Sequence, residues 1–119
     1  MWRFFINHYQ KTSLDIVLQK MDHKEKVVIK KGYFPDSLQG LEDIFAFVSI
    51  DVDFGDSIYN GLKYFYPRLA QGGYIMVHDY NSRLANVKQA VYKYENENGG
   101  HLAMVPVCDG AGSIVIAKI

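Results

Sequence analysis

Several features that would assign this sequence to a class at once are scarce or missing. A single cysteine, Cys108, leaves no partner for a disulfide within the chain, which suits a reducing compartment. Lys and Arg number 13, as do Asp and Glu, and a zero formal charge argues against a partner held through nucleic-acid phosphates. No apolar run approaches the roughly 20 residues that cross a bilayer, and the first residues lack a signal-peptide pattern. We therefore expect a cytoplasmic protein with no nucleic-acid or membrane partner.

The glycine-rich turn of nucleotide- and S-adenosylmethionine-binding folds is also missing. Such a fold opens with a strand, a glycine-rich turn and a helix, and nothing before Gly32 has that pattern. The glycines of the segment Asp109-Gly110-Ala111-Gly112 lie between two apolar runs instead. That segment therefore predicts a hairpin, not a phosphate-binding turn.

The most informative segment begins with a continuous apolar run, Phe45–Ile50, which is typical of a strand covered on both faces. The run ends in the acidic triplet Asp51-Val52-Asp53. Asp56 or Ser57 is predicted to cap a helix whose apolar residues recur at steps of three and four as far as Leu69. This segment therefore reads as a strand, an acidic turn and a helix.

A second acidic turn follows. Gly72-Gly73 predicts a break in the chain, and Tyr74–Val77 predicts a second buried strand that ends just before His78 and Asp79. Two parallel strands joined by a helix have their carboxyl ends at one edge of the sheet, where open α/β sheets bind ligands. We therefore expect Asp51 and Asp79 to arrive side by side at a functional site.

The remaining elements complete an α/β domain with an antiparallel closing pair of strands. They are a helix from a Thr12-Ser13 cap to about Met21, a strand Val27–Lys31, one helical turn at Asp36–Leu38, a helix capped by Ser82 that carries Leu84, Val87, Val91 and Tyr94 and ends at Asn96–Gly100, and two strands, Leu102–Val107 and Ser113–Ile119. We expect residues 1–119 to form one domain.

The two acidic turns carry the chemistry. Carboxylates such as Asp51 and Asp79 suit Mg²⁺, with waters and substrate oxygens as further ligands, and such an ion lowers the pKa of a bound hydroxyl. His78 is a candidate base or nitrogen ligand, and Asp53 is a further candidate ligand or base. Two alternatives stay open: the carboxylates only cap the following helices, and His78 is only a hydrogen-bonded turn residue.

Three motifs, KKGYFPDSL, FVSIDVDFGDS and YFYPRLAQGGYIMVHDYN, resemble the macrocin O-methyltransferase family over about Thr12 to Ile119. The resemblance implies an S-adenosylmethionine- and Mg²⁺-dependent enzyme that methylates sugar or polyol hydroxyls. It assigns Asp51 and Asp79 to metal-ligand positions. His78 stands where many relatives have an aspartate, so it is a candidate third ligand. The segment Gly32-Tyr33-Phe34 is implied to lie near the adenine of the cofactor.

The sequence departs from the family in two ways. After the acidic triplet the family usually has a hydrophobic residue, Tyr, Glu and Ser or Thr, whereas this chain has Phe54-Gly55-Asp56-Ser57 and so lacks the tyrosine. The family's first half, which carries the glycine-rich turn, is also missing. The expected fold is thus a partial Rossmann-like class I methyltransferase sheet without strands 1 and 2.

In the family's sheet order, 3-2-1-4-5-7-6, this chain supplies parallel strands 3 (Val27–Lys31), 4 (Phe45–Ile50) and 5 (Tyr74–Val77), followed by the antiparallel pair. Without strands 1 and 2, strand 3 either closes onto strand 4 or leaves an apolar edge open. An open edge favours pairing with another chain, so we expect a homo-oligomer. Two functional hypotheses follow: an incomplete O-methyltransferase, and a non-catalytic oligomeric domain that does not bind S-adenosylmethionine by itself.

Overall fold

The computed structural model describes residues 2–6, 14–52, 54–82 and 86–119. The predicted Thr12-Ser13 cap, Asp53 and Leu84 lie outside these ranges. The chain divides into two compact units, Met1–Leu41 and Glu42–Ile119, and each is described by itself. No helix in the described ranges is long and apolar enough to cross a membrane. The single domain expected over residues 1–119 stays a prediction.

The first unit contains a parallel pair of strands. Its elements are β1 (Trp2–Ile6), α1 (Leu14–Gln19), a 3-10 turn at Lys24–Lys26, β2 (Val27–Lys31) and a second 3-10 turn at Asp36–Leu38. The helix, the strand β2 and the turn at Asp36–Leu38 confirm the sequence predictions. The strand β1 was not predicted, although its aromatic and β-branched residues favour extended structure.

The partner of β2 corrects one expectation about the sheet. Trp2 lies opposite Val27 and Ile6 opposite Lys31, so β1 and β2 form a separate two-stranded sheet. The prediction that Val27–Lys31 shares a parallel sheet with Phe45–Ile50 is therefore wrong. The physical reason is that β2 pairs along one edge with β1, a strand that the sequence analysis did not predict.

The second unit is a mixed four-stranded sheet packed against two helices. It consists of β3 (Phe45–Ile50), α2 (Gly55–Phe65), β4 (Leu69–Val77), α3 (Val87–Glu97), β5 (Ala103–Pro106) and β6 (Ile114–Ala117). The strands lie in the order β3-β4-β6-β5, with β3 and β4 parallel and the other pairs antiparallel. This order equals strands 4-5-7-6 of the sheet that the resemblance implied.

The core of the second unit lies on one face of this sheet. Buried residues alternate along the strands and recur at helical spacing along α2 and α3; they are Val48, Ile50, Ile75, Val77, Ile114 and Ile116, with Ile58, Leu62, Phe65, Val87, Val91 and Tyr94. On the opposite face Phe47 and Tyr74 lie across from each other and are 53% and 50% exposed. The expectation that Phe45–Ile50 is covered on both faces is therefore wrong.

The strand β4 starts earlier than predicted, because Gly72 and Gly73 lie inside it and not at a break. The pairing register jumps, so that Phe45 faces Leu69 but Phe47 faces Tyr74. Extra residues in β4 thus form a bulge, a usual place for glycine in a strand. A Cβ atom on Gly73 would lie 2.9 Å from the carbonyl oxygens of both Ala46 and Ala70.

The start of α2 differs from the predicted cap. Phe54 occupies the N-cap position without a side-chain hydrogen bond, so Asp56 and Ser57 lie within the first turn. The Asp56 carboxylate is still favourable there because the amino end of a helix carries partial positive charge. Leu69, which the apolar spacing placed on the helix, is the first residue of β4.

The start of α3 differs as well, because its N-cap is Asn86 and not Ser82. The backbone N–H of Ser82 instead donates to the carbonyl oxygen of Asp79, at 3.0 Å. The other end is as predicted: α3 stops at Glu97, and Gly99 and Gly100 follow with φ values of 96° and 93°. A glycine with positive φ is a common way for a helix to end.

Candidate functional site

The two acidic turns follow paired, parallel strands. Ile50 is the last residue of β3 and lies opposite Val77, the last residue of β4, so both strands end at one edge. The backbone N–H of His78 donates to the carbonyl oxygen of Ile50 at 3.0 Å, which continues the pairing by one step. Asp51 and Asp79 therefore both follow strands that end together, as the sequence predicted.

Asp79 has a left-handed backbone conformation, with φ of 55°. Aspartate and asparagine enter this region more readily than most side chains do, whereas a β-branched residue is strongly disfavoured there. Asp79 is half-buried, and Asp51 is exposed. Asp79 thus belongs to a tight turn, whereas the side chain of Asp51 is open to solvent.

His78 is held by a neighbour on β3. Its Nε2 atom lies 2.9 Å from the hydroxyl oxygen of Ser49, and the ring tautomer decides which of the two donates. This contact agrees with the alternative that His78 is a hydrogen-bonded turn residue. It leaves Nδ1 as the ring nitrogen for a metal ion or a proton, so the role of His78 as ligand or base stays a prediction.

The donor set fits a hydrated magnesium ion better than a metal held entirely by protein. Within the described ranges, no group of three or more His, Cys, Asp or Glu residues is arranged to hold a metal ion. Mg²⁺ retains several waters and is usually bound through one or two carboxylates together with substrate oxygens. Asp51 and Asp79 supply two carboxylates of that kind, while Asp53 lies outside the described residues.

The hairpin between β5 and β6 contacts the segment that follows β4. The backbone N–H of Asn81 donates to the carbonyl oxygen of Ala111, at 3.2 Å. Gly112 has φ of 66°, and a Cβ atom there would lie only 2.6 Å from the Asn81 side-chain nitrogen. The hairpin predicted from the Asp109–Gly112 sequence is confirmed, and it supports the turn that contains Asp79.

Within this hairpin, Asp109 accepts two hydrogen bonds from Ser113. The backbone N–H of Ser113 donates to one carboxylate oxygen at 2.6 Å, and its hydroxyl donates to the other. These bonds favour the ionised carboxylate and so lower the pKa of Asp109 below its ordinary value. The hairpin that supports the candidate site is therefore stabilised by an ionised aspartate.

Replacing Asp109 by asparagine should flatten the dependence of stability on acid pH. Because the folded pKa is lowered, the carboxylate stabilises the fold above its unfolded pKa, near 4, and this contribution is lost as pH falls through the folded pKa. Urea unfolding between about pH 6 and 3 should thus give a shallower slope for D109N than for the wild type. Ser113→Ala, which removes only the hydroxyl donor, should be intermediate. Equal slopes for all three chains would contradict this assignment.

The predicted adenine-binding segment lies in the first unit. Tyr33 is 82% exposed, and its carbonyl oxygen accepts a hydrogen bond from the backbone N–H of Ser37 at 2.7 Å. Phe34 is half-buried, and Gly32 has φ of 139°. An exposed tyrosine ring is suited to stacking on a base. The role of Gly32, Tyr33 and Phe34 stays a prediction.

A cavity that the sequence reasoning missed lies between the starts of α2 and α3. Its volume is about 320 Å³, near the lower end of the range of small-molecule sites, about 300–1,000 Å³. It is lined by Phe54, Gly55, Asp56 and Tyr59 from the first helix and by Asn86, Gln89, Ala90 and Lys93 from the second. The family pattern has a tyrosine where this chain has Gly55, and that difference was the sequence signal that could have indicated the cavity.

This mixed sheet, with helices on one face and acidic turns after two parallel strands, defines an α/β domain with the strand order that the resemblance to O-methyltransferases implied. The model of the Macrocin-O-methyltransferase (TylF) family matches residues 13–112. The chain therefore belongs to that family, as its motifs predicted.

Solved structures share the fold. The O-methyltransferase NovP superposes with a TM-score of 0.68 and 26% sequence identity, covering 77% of this chain and 37% of its own. A "putative O-methyltransferase" from Klebsiella pneumoniae gives a TM-score of 0.56 at 16% identity, covers 80% of this chain and 50% of its own, and supports the fold alone. No curated protein matches the sequence. The chain thus spans half or less of the length of these two structural relatives.

Proposed function

We propose that this chain carries the metal- and acceptor-binding part of an S-adenosylmethionine-dependent O-methyltransferase. The observation that carries the proposal is the family match over residues 13–112, combined with Asp51 and Asp79 following two strands that end together. The acceptor in this proposal is a hydroxyl of a sugar or polyol, which is the class that the sequence resemblance implies. Gly32, Tyr33 and Phe34 contact the adenine of the cofactor.

Each residue has a limited role in this proposal. Mg²⁺, when bound, lowers the pKa of an acceptor hydroxyl and helps to orient it, and S-adenosylmethionine supplies the methyl group. Asp51 and Asp79 hold the ion. His78, through Nδ1, or Asp53 takes up the hydroxyl proton. Most of the rate enhancement then comes from alignment, because a methyl transfer needs a well-placed nucleophile.

A second candidate function is a non-catalytic oligomeric domain that does not bind the cofactor by itself. The observation that favours it is the half-exposed pair Phe47, in β3, and Tyr74, in β4, together with the position of β3 at the end of the strand order of its sheet. An end strand and an apolar face favour association with a second copy. Light scattering across a concentration series separates a monomer from such an oligomer.

Calorimetric titration of S-adenosylmethionine and S-adenosylhomocysteine into the chain, with and without Mg²⁺, tests the proposed function. Binding at micromolar strength supports a cofactor site built by this chain, alone or as an oligomer. An absence of binding at millimolar ligand contradicts cofactor binding by the chain alone and favours the non-catalytic alternative. S-adenosylhomocysteine, the product left after methyl transfer, serves as a ligand that cannot be consumed.

A further inference from the structure

One polar side chain interrupts the apolar strand β3. Val48 and Ile50 are buried against the helices, so Ser49 between them projects from the opposite face of the sheet. Met76 lies across from Ser49 in the pairing register, and His78 follows two residues later, just past the end of β4. Because side chains two positions apart in an extended chain share a face, the register brings Ser49 and His78 together on that face.

The contact between these two side chains fixes one nitrogen of the His78 ring. Nε2 lies 2.9 Å from Oγ of Ser49, and within the described ranges the ring has no second hydrogen-bond partner. The Ser49 side chain is exposed, so its hydroxyl can donate to water while its oxygen accepts from the ring. The ring of His78 is half-buried, and an N–H in such a place needs an acceptor. This arrangement favours the tautomer in which Nε2 carries the proton and Nδ1 keeps its lone pair.

We propose that Ser49 is a positioning residue that holds His78 in the Nε2–H tautomer, so that Nδ1 is the ring nitrogen available at the candidate site. Asp51 comes two residues after Ser49, and Asp79 comes directly after the histidine. The pair therefore lies immediately before both acidic turns. This inference rests on the proposed function for the use of Nδ1. The tautomer itself is measured without metal, cofactor or acceptor.

The Nε2–H tautomer suits both roles proposed for His78. A histidine that binds a metal ion usually donates its other ring N–H to a fixed acceptor, which sets the orientation of the ring. As a base, Nδ1 takes up the proton of the acceptor hydroxyl, and the imidazolium that results donates from both nitrogens. The hydrogen bond from Nε2 to Ser49 is therefore kept in both protonation states. In the other tautomer Nδ1 carries the proton and has no lone pair for either role.

The need for such a partner arises because position 78 is a histidine. Many relatives have an aspartate there, and an ionised carboxylate offers acceptor oxygens without any choice of tautomer. A neutral imidazole has two different nitrogens, and only the unprotonated one binds a metal ion or takes up a proton. The serine on β3 thus supplies a selection that an aspartate at position 78 does not require.

Long-range proton–nitrogen-15 correlation spectra of the histidine rings, recorded on the full chain, test the inference. At about pH 9, well above the ordinary histidine pKa of about 6.5, the spectra compare neutral rings and distinguish a protonated ring nitrogen from an unprotonated one. The chain has four histidines, and the signals that disappear in His78→Gln identify the ring of interest. We expect Nε2 to be protonated and Nδ1 to be unprotonated. The reverse pattern would overturn the inference, because Ser49 would then donate to Nε2.

Threonine and valine at position 49 are the matched pair of variants. Both are β-branched residues that suit a strand, and only threonine has a hydroxyl. Ser49→Thr should keep the wild-type tautomer ratio. Ser49→Val should lower the ratio of Nε2–H to Nδ1–H roughly two- to tenfold, which corresponds to the loss of one hydrogen bond. Unfolding curves check that each variant is folded, and Ser49→Ala repeats the measurement if the valine variant is not. Equal ratios with and without the hydroxyl would overturn the inference.

The outcomes separate this inference from the proposed function. A tautomer ratio that depends on the hydroxyl at position 49, without binding of S-adenosylmethionine, supports the role of Ser49 and contradicts methyl transfer by this chain alone. Binding of S-adenosylmethionine with a tautomer ratio that is unchanged in S49V overturns the inference and leaves the proposed function standing.

Discussion

Asparagine in place of Asp79 should remove the site-specific line broadening that Mn²⁺ causes in the amide spectrum of this chain. Mn²⁺ accepts the same oxygen ligands as Mg²⁺ and broadens the signals of residues near it. In the wild type, broadening should centre on Asp51 and Asp79 and be reversed by excess Mg²⁺. Asparagine is chosen because it keeps the left-handed backbone of position 79, where φ is 55°. The loss therefore reports the carboxylate and not the turn.

We expect the Mn²⁺ affinity of D79N to fall by at least about 100-fold, since removing only an outer partner of a ligand costs about 10–100-fold. Asp51→Asn should give a similar loss. Asp56→Asn removes an exposed carboxylate from the first turn of α2 and is the matched control, with unchanged broadening at positions 51 and 79. Wild-type broadening in both D51N and D79N would exclude these residues as metal ligands.

Alanine in place of Gly73 should destabilise the second unit by about 3 kcal/mol, at the upper end of the usual cost of overpacking. The added Cβ atom would lie 2.9 Å from two backbone carbonyl oxygens, those of Ala46 and Ala70, and 3.0 Å from Cγ of Leu69. Strand backbone cannot move aside as a flexible side chain does. Urea unfolding followed by circular dichroism measures the change in the free energy of unfolding.

Gly72→Ala is the control for this substitution. Gly72 has φ of 75°, so alanine is strained there, but within the described part of the chain no non-neighbouring atom lies within 4 Å of the added Cβ. The expected loss is about 1–2 kcal/mol, the cost of a left-handed backbone for a residue with a side chain. Equal losses for G72A and G73A would contradict the claim that packing against β3, and not backbone strain, requires glycine at position 73.

The parts of the fold that follow from local sequence were predictable. The apolar run Phe45–Ile50 and the acidic residues after it located a parallel strand end correctly. The glycines of the segment Asp109–Gly112 identified the hairpin, and those at Gly99 and Gly100 identified the end of α3. In each case the structure is determined by a few residues that are adjacent in the sequence.

The features that failed depend on distant residues. The length of β4 was underestimated because Gly73 is required by a carbonyl group of Ala46, which is remote in sequence. The helix starts were misplaced because Phe54 and Asn86 occupy the N-cap positions without side-chain caps. The cavity was missed because its walls come from two helices that are separate in sequence, and no local pattern predicts that these helices are in contact.

The place of β6 in the sheet affects how the protein folds as it is synthesised. β6 lies between β4 and β5, yet it follows both in the chain. Until it leaves the ribosome, β4 has one edge unpaired and β5 has no neighbour. Synthesis of the chain from Val77 to Ala117 takes roughly 2–8 s at about 5–20 residues per second. During this interval the nascent chain exposes a strand edge flanked by Ile75 and Val77, which is a site for mispairing with other nascent chains and for binding by chaperones.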